Sequence, residues 1–241
     1  MKEKFVSIIE KLIALAAVRL SDDVVERLEE TSKNEDSPLQ QAIYDSYLKN
    51  LQMAKELSRP SCQDTGMIQF YVEAGTGFPY LDITAEALTE AVRRATKSAP
   101  LRPNAVNIFD EKIASDNIAE RSPWINWELI PASDEMKITL YLSGAGCSLP
   151  GLARVFKPSD GLDAVIPFVT DAVLGAGINA CPPLLVGLGL GHNIENAAVL
   201  SKKALLRKLG ASHPDPKGAR LEKQIEAHLN SLGIGAQGLR G

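Results

Sequence analysis

Three cysteines, Cys62, Cys147 and Cys181, carry the most chemical potential in this chain. A thiolate is both a nucleophile and a soft-metal ligand. Cys62 stands in S-C-Q-D-T-G, just after Pro60, where the chain opens a turn beside Gln63, Asp64 and Thr65. Two readings stay open there: a small buried thiol at a helix–strand junction, or a ligand or nucleophile with polar neighbours. A nucleophile would need a base, and His192, His213 and His228 are the histidines available; none lies in a nucleophile signature. Cys181 stands in N-A-C-P-P, where two prolines fix the backbone and remove two amide donors. Cys147 follows Gly144, Ala145 and Gly146 in S-G-A-G-C-S-L-P-G. Those glycines permit close backbone approach, and the loop's amides could cradle a carboxylate or phosphate. A tight loop after a strand is the plain alternative. Arg102, in L-R-P-N-A-V, is either a surface charge or the planar two-pronged donor that a dicarboxylate requires. Asp64 could serve as acid, base or orienting group. The cysteine spacing matches neither a zinc finger nor a ferredoxin run. The glycines of G-L-G-L-G-H have the wrong spacing for a dinucleotide fingerprint.

The elements that must position these residues follow from periodicity. Phe5, Ile8, Ile9, Leu12, Leu15 and Ala16 form a helical stripe. The N-terminus therefore reads as an amphipathic helix of the mature fold, not as a signal peptide. Ser21 is placed to cap a second helix. Ser37, Pro38 and Gln40 predict a capping box opening a third helix to about Leu57, stopped by Arg59-Pro60. Past residue 60 the period changes. I-Q-F-Y-V-E-A-G, W-I-N-W-E-L-I and M-K-I-T-L-Y-L-S-G predict strands, with T-A-E-A-L-T-E-A-V-R-R-A-T-K-S-A a helix between the first two. D-A-V-I-P-F-V-T-D-A-V predicts a helix, and P-P-L-L-V-G-L-G-L-G a strand-like run. Helices are also expected from N-I-E-N to a C-terminal Gly210, and from A-R-L-E-K to L-N-S-L-G. The fold class is α+β: a helical N-terminal region, 1–60, before a mixed α/β catalytic region, 61–241.

Composition narrows the function. Of 241 residues 45% are hydrophobic, enough for a sizeable core. The net charge of -4 and the lack of a basic tract exclude a nucleic-acid partner. No apolar run is expected to reach membrane-spanning length. Few cysteines, odd in number, argue against a secreted disulfide scaffold and for a cytoplasmic protein.

Taken in order, S-C-Q-D-T-G, L-R-P-N-A-V, G-A-G-C-S-L-P-G, A-C-P-P-L-L-V-G and I-G-A-Q-G-L resemble the alpha region of the iron-sulfur class I fumarase and tartrate dehydratase family. The resemblance covers essentially the whole chain. G-x-G-C-x-L-P-G, with N-A-V-x-I-F-D before it, looks like the tartrate branch. It implies a [4Fe-4S] hydro-lyase dehydrating L(+)-tartrate to oxaloacetate, with a class I fumarate hydratase alpha subunit or a truncated non-catalytic remnant as the other readings. By resemblance Cys62 and Cys181 are cluster ligands, and Arg102 clamps a substrate carboxylate. Gln63 and Asp64 line the substrate, and Gly144, Ala145 and Gly146 form the loop beside it. Cys147 is not counted as a ligand. A beta subunit, in a heterotetramer, would supply the catalytic base. The resemblance further implies a third cluster cysteine beyond Gly241, so the chain is expected to be cut short. It also implies that K-I-A-S-D-N-I-A is a degraded form of a substrate-facing N-T-G-x-N-T-G loop.

Overall fold

The computed structural model describes residues 2–148 and 150–239. It is an α+β fold with a helical N-terminal part, as the periodicity predicts. That part is α1 (Lys2–Val18), α2 (Asp22–Lys33) and α3 (Pro38–Leu57). Contacts gather the chain into two compact units. The first joins residues up to Leu20 with Lys49–Ala145, and the second joins Ser21–Leu48 with residues from Gly146 onward.

In the first unit, β1 (Met67–Gly75) is the middle strand of three. It pairs in parallel with β4 (Trp124–Ile130) and antiparallel with β5 (Met136–Ser143). A parallel neighbour requires a crossover. Here α4 (Leu81–Ser98) and a small hairpin, β2 (Val106–Asn107) with β3 (Lys112–Ile113), lie between β1 and β4. Alternation sorts the strands. Ile68, Phe70, Val72 and Ala74 are buried, and their β5 partners Leu142, Leu140, Ile138 and Met136 pack on the same core. The stripe of α4 is mostly small: Ala87, Leu88, Ala91, Val92 and Ala95 are fully buried. Small side chains let α1 come close, and it contributes Val6, Ile9, Ile13 and Ala17 to the same core.

In the second unit, α6 (Val165–Ala176) buries Val165, Val169 and Val173 against Leu221 and Ile225 of α8 (Pro216–Asn230). Residues 162–180 form one helical stretch of 19 residues with mean hydropathy 1.3, long and apolar enough to cross a membrane by length and composition. This corrects the expectation that no run reaches that length. Asp163 and Asp171 lie within the stretch, and its valine stripe is part of a packed core. Helix α8 begins at Pro216, earlier than predicted, because Asp215 accepts from the Lys217 amide at 2.7 Å and Pro216 sits in the first turn. Helix α7 (Ile194–Ala204) stops short of Gly210. Its end is anchored to α8: the Arg207 guanidinium donates to Glu222, which also accepts from the His213 amide at 2.9 Å. The guanidinium holds the Glu222 carboxyl below the usual range.

Two sequence expectations fail because a partner elsewhere in the chain takes up the residues. The capping box at α3 is not closed. The Gln40 amide reaches the Ser37 hydroxyl only at 3.5 Å, and the Gln40 side chain instead accepts from the Ala236 amide at 2.7 Å. Residues 182–191 form no strand. Their glycines lie flat against α7. A Cβ at Gly187 would meet the Ser201 carbonyl at 2.3 Å, and one at Gly189 the Ala197 carbonyl at 2.0 Å. The G-L-G-L-G spacing serves helix packing, not strand pairing. Gly189→Ala should therefore destabilise the chain by about 1–3 kcal/mol. Gly175→Ala, with nothing within 4 Å of its Cβ inside α6, should be neutral or stabilising by up to about 1 kcal/mol. Thermal melts of both variants check this; equal midpoints would mean the close approach carries no constraint.

Candidate active-site loops

Cys62 lies on the loop between α3 and β1, and its thiol is exposed, not buried. Its predecessor ties the loop down. Ser61 donates its amide to the Ala17 carbonyl at 3.0 Å, and its own carbonyl accepts from Asn50 of α3 at 2.7 Å. Gln63 is exposed and Asp64 half-buried. One Asp64 carboxylate oxygen accepts from the Gly66 amide at 3.2 Å and from the Asn104 side chain at 2.8 Å. The first bond is a local Asx turn, and the second reaches the L-R-P-N-A-V segment. Gly66 has φ 86° and passes against the end of β5. A Cβ there would fall 2.8 Å from the Ser143 nitrogen and 3.1 Å from that of Gly144. Glycine is required by both conformation and space, and it brings C-Q-D-T-G beside Ser143 and Gly144.

Arg102 is exposed, and its backbone is fixed on both sides. Its amide donates to the Thr65 hydroxyl at 3.0 Å, and its carbonyl accepts from the Asn117 side chain at 3.1 Å. Among the described residues the Arg102 guanidinium makes no hydrogen bond or ion pair with protein groups, and the side chain is exposed. The first unit thus brings together Cys62, Gln63, Asp64, Arg102 and the start of the glycine loop, which the sequence holds far apart.

Asn117 went unmarked in the sequence because it lies in the segment that departs from the family pattern. It is buried and left-handed, with φ 61°. Its carbonyl oxygen accepts from the Asn104 amide at 2.7 Å and the Ala105 amide at 3.2 Å, while its NH2 donates to Thr96 and to the Arg102 carbonyl. Asp116 beside it accepts from the Ile118 amide and from Arg93. K-I-A-S-D-N-I-A is thus a built clamp under the arginine loop. An asparagine four residues after Ile113, the end of the hairpin, is the signal that could have found it, since asparagine tolerates left-handed backbone.

Ala145–Ser148 of the glycine motif forms one helical turn, α5, where the chain passes from the first unit to the second. Cys147 on it is exposed and free of disulfides; Leu149 of the motif lies outside the described residues. Cys181 is exposed and left-handed, with φ 56° and ψ 69°. For a residue with a Cβ that conformation costs about 1–2 kcal/mol, so its surroundings must impose it. Among the described residues no three His, Cys, Asp or Glu side chains gather as a metal-holding group.

The Cys62–Thr65 loop, Asp64 and the Arg102 backbone are tied together by one set of hydrogen bonds, and comparison with known proteins defines the class. The chain belongs to the fumarate hydratase (Fumerase) family, whose sequence profile matches residues 6–241, and it is a hydro-lyase. It is 45% identical over 238 residues to the L(+)-tartrate dehydratase subunit alpha of Escherichia coli K12, covering 99% of this chain and 78% of that one. The protein of the same name from Shigella boydii matches to the same extent. A Methanocaldococcus jannaschii protein provisionally given that name is 37% identical, over 99% of this chain and 85% of its own. The shared name denotes one subunit of a larger assembly. As donors to an iron-sulfur cluster, Cys62 and Cys181 fit in kind: both are exposed thiols outside any disulfide, on backbone held by its neighbours.

Proposed function

We propose that this chain is the cluster-bearing subunit of a hydro-lyase that converts L(+)-tartrate to oxaloacetate. In that reaction a proton leaves one carbon, hydroxide leaves its neighbour as water, and the resulting enol tautomerises to the ketone. The observation that carries the reading is Arg102: an exposed guanidinium on a backbone clamped to the Cys62–Thr65 loop. Its planar fork fits a carboxylate in two parallel bonds. Asp64, oriented by Asn104 and Gly66, lines the same place with Gln63. Gly144, Ala145 and Gly146 supply close backbone approach for the rest of the substrate. Cys62 and Cys181 would supply two of the three thiolates for a [4Fe-4S] cluster, which would supply a Lewis acid for the departing hydroxyl. A fumarate or malate substrate is the second reading, favoured by the family's own description.

The catalytic base comes from a second subunit. Exposed apolar side chains support such a partner: Ile108, Phe109 and Ile113 on the hairpin that follows Arg102, and separately Leu185, Val186 and Leu190. The test of cluster and ligands is anaerobic reconstitution of the co-expressed subunits, with iron and sulfide counting. Cys62→Ser and Cys181→Ser should each lose most of the bound iron, and Cys147→Ser should keep it. Full iron in either of the first two would remove that cysteine from the ligand set.

A further inference from the structure

Cys181 needs support to stay left-handed, and the groups that supply it come from segments with no cysteine. Pro182, the next residue, is buried. Its carbonyl accepts from the Gln237 amide at 3.0 Å and from the Tyr47 hydroxyl at 3.4 Å. The Gln237 side chain donates to that same hydroxyl, closing a three-cornered set of bonds. One residue earlier, the Ala236 amide donates to Gln40, seven positions before Tyr47 and so on the same face of α3. Gly238, with φ 74°, lies against Ile178 in the turn before Cys181; a Cβ there would come within 2.4 Å of the Ile178 Cδ1. I-G-A-Q-G-L and N-A-C-P-P are therefore packed as one structure on α3.

We propose that Tyr47 and Gln237 are positioning residues for the Cys181 thiol, acting through the Pro182 carbonyl. The proposal rests on the reading of Cys181 as a cluster ligand. The carbonyl is fixed by two donors, and this fixes the Pro182–Pro183 peptide, to which Cys181 is joined through the rigid Pro182 ring. With that peptide freed, the residue relaxes toward negative φ, and its Cβ swings to a new direction. Tyr47 is the informative position because Tyr47→Phe removes one hydroxyl and keeps the ring, which packs edge-on against Tyr44 with centroids 6.2 Å apart.

The test uses the whole chain and reads the thiol directly. Wild type, Tyr47→Phe, Gln237→Leu and the double variant are alkylated with iodoacetamide. Modification of Cys181 is followed by peptide mass spectrometry, with Cys62 of the same chain as internal reference. The Cys181-to-Cys62 rate ratio should change about threefold or more in Tyr47→Phe, the scale of one ordinary hydrogen bond, and in the same direction but less in Gln237→Leu, which keeps the Gln237 amide on the carbonyl and removes only the bond that orients the Tyr47 hydroxyl. The double variant should add little, because both substitutions break one set of bonds. Melting temperature should stay within about 2 °C, which separates positioning from general loosening. Unchanged ratios in folded Tyr47→Phe and Gln237→Leu, or fully additive effects, would overturn the proposal. Iron counts on the same proteins, reconstituted with the partner subunit, separate the two ideas. A wild type that binds no iron refutes the ligand reading, while the alkylation ratio still decides the positioning.

Discussion

Arg102→Lys should lower kcat/KM about 30- to 150-fold with little change in melting temperature. The backbone of residue 102 keeps its bonds to Thr65 and Asn117 whatever its side chain, so the loop survives the change. What is lost is the two-pronged fit. A lysine places one point charge where a planar fork offered two parallel bonds, and charge-assisted bonds are the strong ones. A deficit of about 2–3 kcal/mol in transition-state stabilisation corresponds to that range. If the carboxylate is held equally in ground and transition states, the loss falls on KM; if the grip tightens during elimination, it falls on kcat. Steady-state kinetics of the assembled enzyme with both proteins decide it. Unchanged kinetics would remove Arg102 from the site.

Asn117→Ala should destabilise the chain by about 3–4 kcal/mol. The substitution leaves the Asn104 and Ala105 amides and the Arg102 carbonyl without their partner, each at a cost of about 1 kcal/mol or more. It also places a Cβ with no local hydrogen bond at φ 61°, which adds about 1 kcal/mol. Asn117→Gly loses the same bonds without the conformational cost and should be about 1 kcal/mol less damaging. The activity of folded Asn117→Gly should also fall, since the arginine loop is no longer clamped. Denaturant melts measure both. A loss under about 0.5 kcal/mol for the alanine variant would mean that Asn117 is not the clamp.

Much of this architecture was legible from periodicity. The alternation in M-K-I-T-L-Y-L-S and the helical stripes of α1 and α3 are local signals, and those elements formed where predicted, while α4 begins three residues earlier, at Leu81. The misreadings came where a local pattern met a distant partner. Gln40 has the spacing of a capping box, but Ala236, far along the chain, takes its side chain. The run 182–191 is apolar enough for a strand, but its alternate glycines answer to the carbonyls of α7. A helix-packing glycine and a strand glycine look alike in sequence. At the site, Cys62, Asp64 and Arg102 drew attention because thiols, acids and guanidinium groups carry recognisable chemistry. Asn117 and Tyr47 did not, because holding a loop needs only a donor or acceptor at the right place, and that place is set by tertiary structure. The exposure of Cys62 likewise follows from how Ser61 pins the loop, which no neighbouring residue type encodes.

The most direct measurement of the central claim is substrate turnover by the anaerobically assembled enzyme. L-tartrate, L-malate and fumarate would be assayed side by side on one preparation with its cluster and partner subunit in place. The account predicts oxaloacetate formation from L-tartrate, with kcat/KM well above that for interconversion of malate and fumarate, and a fall of about 30- to 150-fold in Arg102→Lys. Rapid interconversion of malate and fumarate with no oxaloacetate from tartrate would contradict it.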